Sequence, residues 1–167
     1  MSTILPVTIY RQSIAADREQ INYLMEKLLV HLAKISPTRK DKPEDGFTDI
    51  YHDRVIKLVQ QKKANILVAE QEGVVVGFGF GVIKEHNIEA LQEFKDLKSG
   101  LITDLYVDCN YRGQGIGREL VKQFMAYFKA NGCHQAEIYV LHANDQAHEL
   151  YKRLGFKDEL SEMCIPL

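Results

Sequence analysis

The sequence of this chain lacks several features that would mark other classes of protein. Its three cysteines are an odd number and form no C-x-x-C pair, and its six histidines show no zinc-ligand spacing. None of its five serines stands in a G-x-S-x-G motif. These absences disfavour a metal hydrolase and a serine hydrolase. The isolated cysteines predict reduced thiols and a cytoplasmic location.

Neither a charge excess nor a long apolar run indicates a nucleic-acid or membrane partner. The formal net charge is −2 and the sequence pI is near 6.3, which predicts no basic surface for nucleic acid. The longest apolar run, residues 74–83, is too short to span a bilayer, and residues 1–6 form no charged or targeting stretch. With 167 residues, 46% of them hydrophobic, we expect a single domain over residues 1–167.

Hydrophobic periodicity predicts strands and helices in mixed order, typical of an α+β protein. Strands are expected at residues 7–12, 66–70, 74–83, 101–108, 136–141 and 157–166, with the second and third forming an antiparallel hairpin. Helices are expected from a capping box at Asp17-x-x-Gln20 to Ser36-Pro37, around residues 51–59, over residues 116–130 and from Asn144. A loop at residues 38–46 and a short helical arm within residues 85–99 complete the prediction.

Three glycines occupy alternate positions between a predicted strand and a predicted helix, in Asn110-Tyr-Arg-Gly-Gln-Gly-Ile-Gly-Arg-Glu. Gly113, Gly115 and Gly117 allow a sharp turn and bring backbone N–H groups close to a ligand. Those donors lie at a helix N-terminus, where the macrodipole favours an anion, and Arg112 adds a forked cation. The pattern predicts a pyrophosphate-binding loop.

The spacing of these glycines differs from that of two common nucleotide-binding loops. Arg118 stands where the dinucleotide motif G-x-G-x-x-G has its third glycine, and Glu137 opens the next predicted strand instead of closing it. No Gly-Lys pair occurs, so the triphosphate motif G-x-x-x-x-G-K-[ST] is absent. A nicotinamide or flavin oxidoreductase is therefore disfavoured.

A second segment, Asn144-x6-Tyr151-x3-Gly155-Phe156, begins about thirty residues after the loop. Together with Arg112-x-x-Gly115-x-Gly117 it resembles the GCN5-related N-acetyltransferase (GNAT) superfamily, over roughly residues 101–157. The resemblance implies a GNAT-like acyl-CoA N-acyltransferase fold, with a mixed, mostly antiparallel central sheet and helices on both faces. It further implies an enzyme that transfers an acetyl group from acetyl-CoA, as co-substrate, directly to an amine.

By the same resemblance, the loop binds the pyrophosphate of acetyl-CoA, and a backbone N–H of the preceding strand donates to the thioester oxygen. Asn144 and Tyr151 would lie beside the pantetheine arm and the thioester. The expected cofactor-binding set is Leu105, Tyr106, Val107, Arg112, Gly113, Gln114, Gly115, Ile116, Gly117, Arg118, Asn144 and Tyr151. No metal ligand is expected.

Tyr151 is the expected general acid for the leaving thiolate. The alternative is a core tyrosine, because Ala147, Tyr151 and Leu154 fall on one helical face. Asn144 is also well placed to cap its helix, which is compatible with cofactor contact.

The general base stays open. A primary alkylamine has a pKa near 10.4, so only about one molecule in a thousand is neutral at pH 7. Family members often carry Glu or His at positions that fall here on Leu101 or Thr103, neither of which titrates usefully. Asp104 is our second catalytic candidate, to orient a cationic acceptor, although period-2 alternation predicts that it lies on the opposite face from those two. A structural ion pair is the alternative for Asp104, and a relayed water, Glu70 and His142 are further candidates for the base.

Two other features have two interpretations each, and a third has one that is disfavoured. Gly77, Gly79 and Gly81 share one face of a predicted strand, which indicates either a packed helix or space beside the acceptor. The predicted arm carries four acidic residues, Glu85, Glu89, Glu93 and Asp96. They indicate either a solvated face or a surface that attracts a cation. Cys109 has no basic partner nearby in sequence, so a covalent acetyl-enzyme is disfavoured.

The acceptor is not determined by these residues. A small amine, a polyamine, an aminoglycoside, an amino acid and a peptide N-terminus all stay open, as do a monomer and a homodimer. Because the usual strand acid is missing, the alternative function is a non-catalytic acyl-CoA-binding sensor or interaction module that retains the cofactor site.

Overall fold

The computed structural model describes residues 6–36, 45–85 and 98–165. Its strands are β1 (Ile9–Gln12), β2 (Ala64–Gln71), β3 (Val74–Lys84), β4 (Ser99–Val107) and β5 (Gln135–Ile138). Its helices are α1 (Arg18–Ile35), α2 (Phe47–Gln60), α3 (Ile116–Ala130) and α4 (Asp145–Arg153), with single 3-10 turns at Ala15–Asp17 and Cys109–Tyr111. None of the helices in these ranges is long and apolar enough to cross a membrane.

The described strands form one sheet in the order β1-β2-β3-β4-β5. The first four strands pair antiparallel, and the β2–β3 hairpin turns at Glu72 and Gly73, which both have positive φ. β5 instead pairs parallel to β4, because α3 carries the chain back across the sheet between them. The predicted α+β class and the mixed, mostly antiparallel sheet are confirmed.

Helices cover both faces of the sheet, as predicted. α1 and α2 pack on one face around Phe78 and Phe80, whereas α3 and α4 pack on the other face with Phe124 and Phe128. The glycine face of β3 belongs to this second layer. A Cβ built on Gly79 would lie 2.6 Å from the Phe124 ring. The strand therefore carries glycine on this face because Phe124 occupies the space that side chains would fill. Of the two interpretations of that face, the packed helix is correct.

A β-bulge in β4 changes which face Asp104 occupies. Phe80 pairs with Asp104, while the next residue of β3, Gly81, pairs with Ile102, so Thr103 is an extra residue in β4. The extra residue restarts the alternation of side chains. Asp104 therefore shares the α1–α2 face with Leu101, which pairs with Val82, and the predicted opposite-face placement is wrong.

The predicted final strand is also wrong. Residues 157–165 belong to no strand, and Leu160, Met163 and Ile165 are 81–94% exposed. The Asp158 carboxylate accepts hydrogen bonds from His148 and Lys152 of α4, which holds the start of the segment against that helix. Sequence patterning did not reveal this attachment.

The predicted capping box does not form at the start of α1. The Asp17 carboxylate pairs with the Arg11 guanidinium at 2.7 Å and accepts from the Ile14 N–H, and the Gln20 side chain accepts from the Val75 N–H of β3. A partly buried, charge-assisted pair is stronger than a cap to a backbone N–H, so the Asp17 carboxylate pairs with Arg11 instead of capping the helix. The predicted arm and most of the loop at residues 38–46 lie outside the described residues.

Candidate acyl-CoA site

β4 and β5 separate before β4 ends. Their pairing runs from Ser99↔Gln135 to Ile102↔Ile138, where β5 stops, while β4 continues to Val107 against β3. Within the described residues, no strand lies on the β5 side of residues 103–107. Leu105, Tyr106 and Val107 therefore face an opening that an extended chain with amide groups can enter and pair with.

The end of β4 is fixed by a buried carboxylate. Asp108 is 6% exposed, accepts from Lys27 Nζ of α1 at 2.6 Å and accepts from the Asn110 N–H at 3.0 Å. Burial alone would raise the pKa of Asp108, but these two donors more than offset it and lower the pKa, so the carboxylate stays ionised. This contact joins α1 to the turn that leads into the glycine loop.

The glycine loop has the backbone that an anion site requires. Gly113 and Gly115 have φ of +79° and +80°, in the left-handed region that favours glycine, and Gly115 is the residue that precedes α3. The first N–H groups of α3, beginning at Ile116, have no acceptor within the helix. Gly117, in contrast, is an ordinary helical residue in the first turn, not part of the turn itself.

Two arginines flank this helix N-terminus. Arg112 is exposed, donates from Nε to Val107 O at 3.1 Å and lies over the Tyr106 ring, with 5.4 Å from its Cζ to the centroid. The Arg118 side chain lies beside Gly115 and is also exposed. Neither forms an ion pair with a carboxylate of the described residues. Both guanidinium groups therefore retain charge and donors for an anion at the loop.

α4 lies beside the loop and the end of β4. A Cβ built on Gly117 would lie 3.5 Å from Leu150 of α4 and 3.7 Å from Val107 of β4, so these three elements meet there. Asn144 precedes α4 and its side chain accepts from the Ala147 N–H at 3.3 Å. The expected cap is confirmed, and it holds the Asn144 side chain at the helix start.

Tyr151 is buried in the layer between α3, α4 and the sheet. It is 7% exposed and its ring contacts Phe156, with centroids 6.1 Å apart. Its hydroxyl donates to no group of the described residues. Burial raises the pKa of Tyr151 to about 12, so the phenol keeps its proton at neutral pH. Tyr151 is packed like a core tyrosine, and yet its hydroxyl has no hydrogen-bond partner among the described residues.

Asp104 has a partner that the sequence did not reveal. The Tyr51 hydroxyl of α2 donates to Asp104 Oδ2 at 2.6 Å. Burial, and then the charge of Asp104, raises the pKa of Tyr51 above its usual value. Phe47 stacks on Tyr51 with ring centroids 5.8 Å apart, so the ring whose hydroxyl contacts the carboxylate packs against a second aromatic ring. In the sequence, Tyr51 only begins the helix predicted around residues 51–59, and no motif links it to Asp104.

The remaining candidates have less support from the geometry. Glu70 accepts from the Arg11 guanidinium at 2.6 Å between β1 and β2, and His142 is exposed in the connection after β5. The Cys109 thiol donates to an Asp108 carboxylate oxygen at 3.8 Å. Among the described residues, no group of three or more metal-ligating side chains is present.

The two glycines around the start of α3 give contrasting predictions. Gly115→Ala places a Cβ on a left-handed residue, which costs about 1–2 kcal/mol and distorts the loop. Gly117→Ala adds a Cβ that meets ordinary contacts in a helical backbone. We expect the first variant to lower the melting temperature and to weaken acetyl-CoA binding several-fold. The second should keep or raise the melting temperature, because alanine favours a helical backbone, and should weaken binding much less than the first. Thermal unfolding and calorimetry measure both effects. Equal affinities in the two variants would contradict a role for the left-handed turn.

The comparisons with known proteins agree with this architecture. The family model described as Acetyltransferase (GNAT) family matches residues 28–156. The BH1408 protein of Bacillus halodurans, in its tetramutant form, has a TM-score of 0.80 at 24% identity, covering 95% of this chain and 99% of that one. The aminoglycoside N-acetyltransferase AAC(6')-Iy, in complex with CoA, has a TM-score of 0.74 at 14% identity, covering 100% of this chain and 99% of that one.

Curated relatives are similar over part of their length. The thialysine N-epsilon-acetyltransferase of Bos taurus is 33% identical over 68% of this chain and 61% of its own length. The mycothiol acetyltransferase of Thermobispora bispora is 34% identical over 70% of this chain and 38% of its own length. The matches thus span less than two thirds of each of these relatives. Because the family model matches most of the sequence, this chain belongs to the acetyltransferase (GNAT) family.

Proposed function

We propose that this chain is an acetyl-CoA-dependent N-acetyltransferase that transfers an acetyl group directly to an amine. The observation that carries the proposal is the separation of β4 from β5 at Ile102, on the strand that leads into the glycine loop. An extended ligand with amide groups would pair with the free edge of β4, and its diphosphate would lie at the start of α3. Membership of the acetyltransferase family is consistent with it.

The anion end of the site supports this proposal through charge and backbone geometry. The left-handed Gly113 and Gly115 turn the chain so that α3 begins beside two exposed guanidinium groups, Arg112 and Arg118. The helix N-terminus and these cations would hold a pyrophosphate. The backbone of Leu105–Val107 would pair with the pantetheine amides and offer an N–H to the thioester oxygen as negative charge develops there.

The group that donates to the leaving sulfur in this proposal is the Tyr151 hydroxyl. This hydroxyl has no partner among the described residues, and Tyr151 belongs to the helix that packs against Gly117 and Val107. A phenol with a pKa of about 12 is a weaker acid than a thiol with a pKa near 8.5, so complete transfer to the leaving thiolate is uphill. We therefore expect Tyr151 to stabilise the departing sulfur by donating a hydrogen bond to it.

The acceptor in this proposal is a cationic amine that approaches Asp104. Asp104 faces the α1–α2 layer with Leu101, beside Tyr51 and the stacked Phe47. A carboxylate with aromatic neighbours is the chemistry that binds an ammonium group. Transfer requires the neutral amine, and in the described residues the strand offers no other carboxylate near the bulge. We therefore assign deprotonation to relayed water, which passes the proton from the ammonium to bulk solvent.

A coenzyme A-release screen tests the function. The purified chain is incubated with acetyl-CoA and single amines from each class: polyamine, aminoglycoside, amino acid, small neutral-tail amine and peptide N-terminus. We expect steady, amine-dependent release of free thiol above the hydrolysis background, with mass spectrometry detecting the acetylated amine. Tight acetyl-CoA binding without turnover on any class would instead favour the non-catalytic acyl-CoA-binding module.

Asp104→Asn is expected to raise the KM for a cationic acceptor more than it lowers kcat. The variant keeps the shape of the side chain and removes the charge that attracts the ammonium. The preference for cationic over neutral-tail acceptors should shrink in the variant, and in the wild type it should shrink as salt is added. Steady-state kinetics with one matched pair of acceptors measures both effects.

Tyr51→Phe is the control for this prediction. It removes the hydrogen bond to Asp104 Oδ2 but leaves the carboxylate charged. If attraction of the cation is the role of Asp104, the salt dependence and acceptor preference persist in Tyr51→Phe and disappear in Asp104→Asn. Identical kinetics in the two variants would reduce the pair to a structural hydrogen bond.

A further inference from the structure

A buried glutamine, Gln71, contacts the glycine loop through a hydrogen bond to the Gln114 side chain. Gln71, at the end of β2, is 3% exposed. Its Nε2 donates to Gln114 Oε1 at 2.9 Å and to Thr8 Oγ1 at 2.8 Å. Gln114 is the residue between Gly113 and Gly115, so this amide links the sheet to the centre of the loop.

The stability of the fold does not explain why a polar side chain is buried at position 71. Its Oε1 is buried and has no hydrogen-bond partner in the described residues, and burying an unsatisfied acceptor costs free energy. An apolar side chain of similar size would fill the same space without that cost. What the amide adds is a donor for Gln114.

The loop has little other support at this point. A Cβ built on Gly113 would meet nothing within 4 Å, and one on Gly115 would meet only the Arg118 guanidinium, at 3.6 Å. Glycines also permit more backbone conformations than other residues, so a loop with two of them has alternatives to the left-handed turn. Within the described chain, Gln71 is the side-chain partner of Gln114.

We propose that Gln71 is a positioning residue that holds the glycine loop, through Gln114, in the conformation that binds the diphosphate of acetyl-CoA. This inference rests on the proposed function of the loop. It assigns a role in cofactor binding to a residue that touches neither the cofactor nor the reacting atoms. Gln71 would raise the fraction of molecules whose loop has the conformation that binds the diphosphate. The apparent affinity for acetyl-CoA rises in proportion to that fraction.

Gln71→Met tests the proposal because its two expected effects have opposite signs. The variant keeps the size and flexibility of the side chain and removes the unpaired oxygen together with the donor to Gln114. We expect the melting temperature to stay level or to rise. Acetyl-CoA affinity should fall threefold or more by calorimetry, while the KM for the amine and kcat at saturating acetyl-CoA stay near wild type. If Gln71 merely supported the fold, its replacement would lower the melting temperature and would not weaken acetyl-CoA binding while leaving the KM for the amine unchanged.

Two companion variants show which contact matters. Thr8→Val removes the other partner of the same amide and leaves Gln114 in place, so acetyl-CoA affinity should stay within twofold of wild type. Gln114→Met should weaken binding to the same extent as Gln71→Met. The double variant should lose no more affinity than the larger single loss, because both remove one interaction. Additive losses, or an unchanged affinity in Gln71→Met, would overturn the proposal.

The failure of this inference is separable from failure of the proposed function. Wild-type protein that does not bind acetyl-CoA, or binds it equally well after Arg112→Glu, would remove the loop as the cofactor site and the positioning role with it. Binding that depends on Arg112 and is indifferent to Gln71→Met would remove only the positioning role.

Discussion

Arg112→Glu is expected to weaken acetyl-CoA binding tenfold or more, which is a loss of at least about 1.4 kcal/mol of binding free energy. The wild-type guanidinium lies at the mouth of the loop, held by Val107 O and the Tyr106 ring, and forms no ion pair with a described carboxylate. Its charge is therefore available to a diphosphate, and a glutamate at the same place repels it. Calorimetric titration of each folded variant with acetyl-CoA measures the change.

Lys129→Glu is the matched control for that charge reversal. Lys129 is exposed near the other end of α3, and the 13 residues from Ile116 correspond to about 20 Å of helix, which is about two and a half Debye lengths at physiological salt. The same change of net charge should therefore leave the affinity within twofold of wild type. If Arg112→Glu binds as tightly as Lys129→Glu does, the diphosphate does not bind at this loop.

Tyr151→Phe is expected to lower kcat ten- to a hundredfold and to leave both melting temperature and acetyl-CoA affinity nearly unchanged. The ring and its packing against Phe156 are retained, and the hydroxyl makes no hydrogen bond that the described protein would lose. A hydrogen bond to a charged group contributes about 1.5–3 kcal/mol, which corresponds to this range of rates when it forms mainly in the transition state.

Tyr127→Phe provides the comparison for a structural hydroxyl in the same layer. The Tyr127 hydroxyl donates to Ala64 O of β2 at 3.1 Å, so its removal should lower the melting temperature with little effect on kcat. The two tyrosines thus separate turnover from stability. A fully active Tyr151→Phe enzyme would leave the family assignment intact and transfer the role of proton donor to water. Tyr151→Ala would not discriminate, because it also opens a cavity.

The parts of the site that were predictable from sequence lie close together in the chain. The turn at Gly113 and Gly115 and the cap by Asn144 each depend on a few neighbouring residues, and both formed as expected. The same locality explains the errors. The final strand was predicted from its residues alone, whereas a strand requires a partner, and the capping box at Asp17 lost its carboxylate to Arg11.

By itself, the sequence determined the family, because the glycine loop and the Asn144 helix are recognisable from contiguous residues at a set separation. Only the tertiary structure decided what surrounds them. The bulge at Thr103 turns Asp104 to the face of Leu101, and Tyr51 reaches it from 53 residues away in the sequence. Gln71 reaches the loop from 43 residues away. Such contacts follow from strand register and helix packing, in which one extra residue reverses a side chain, and no local pattern in the sequence records them.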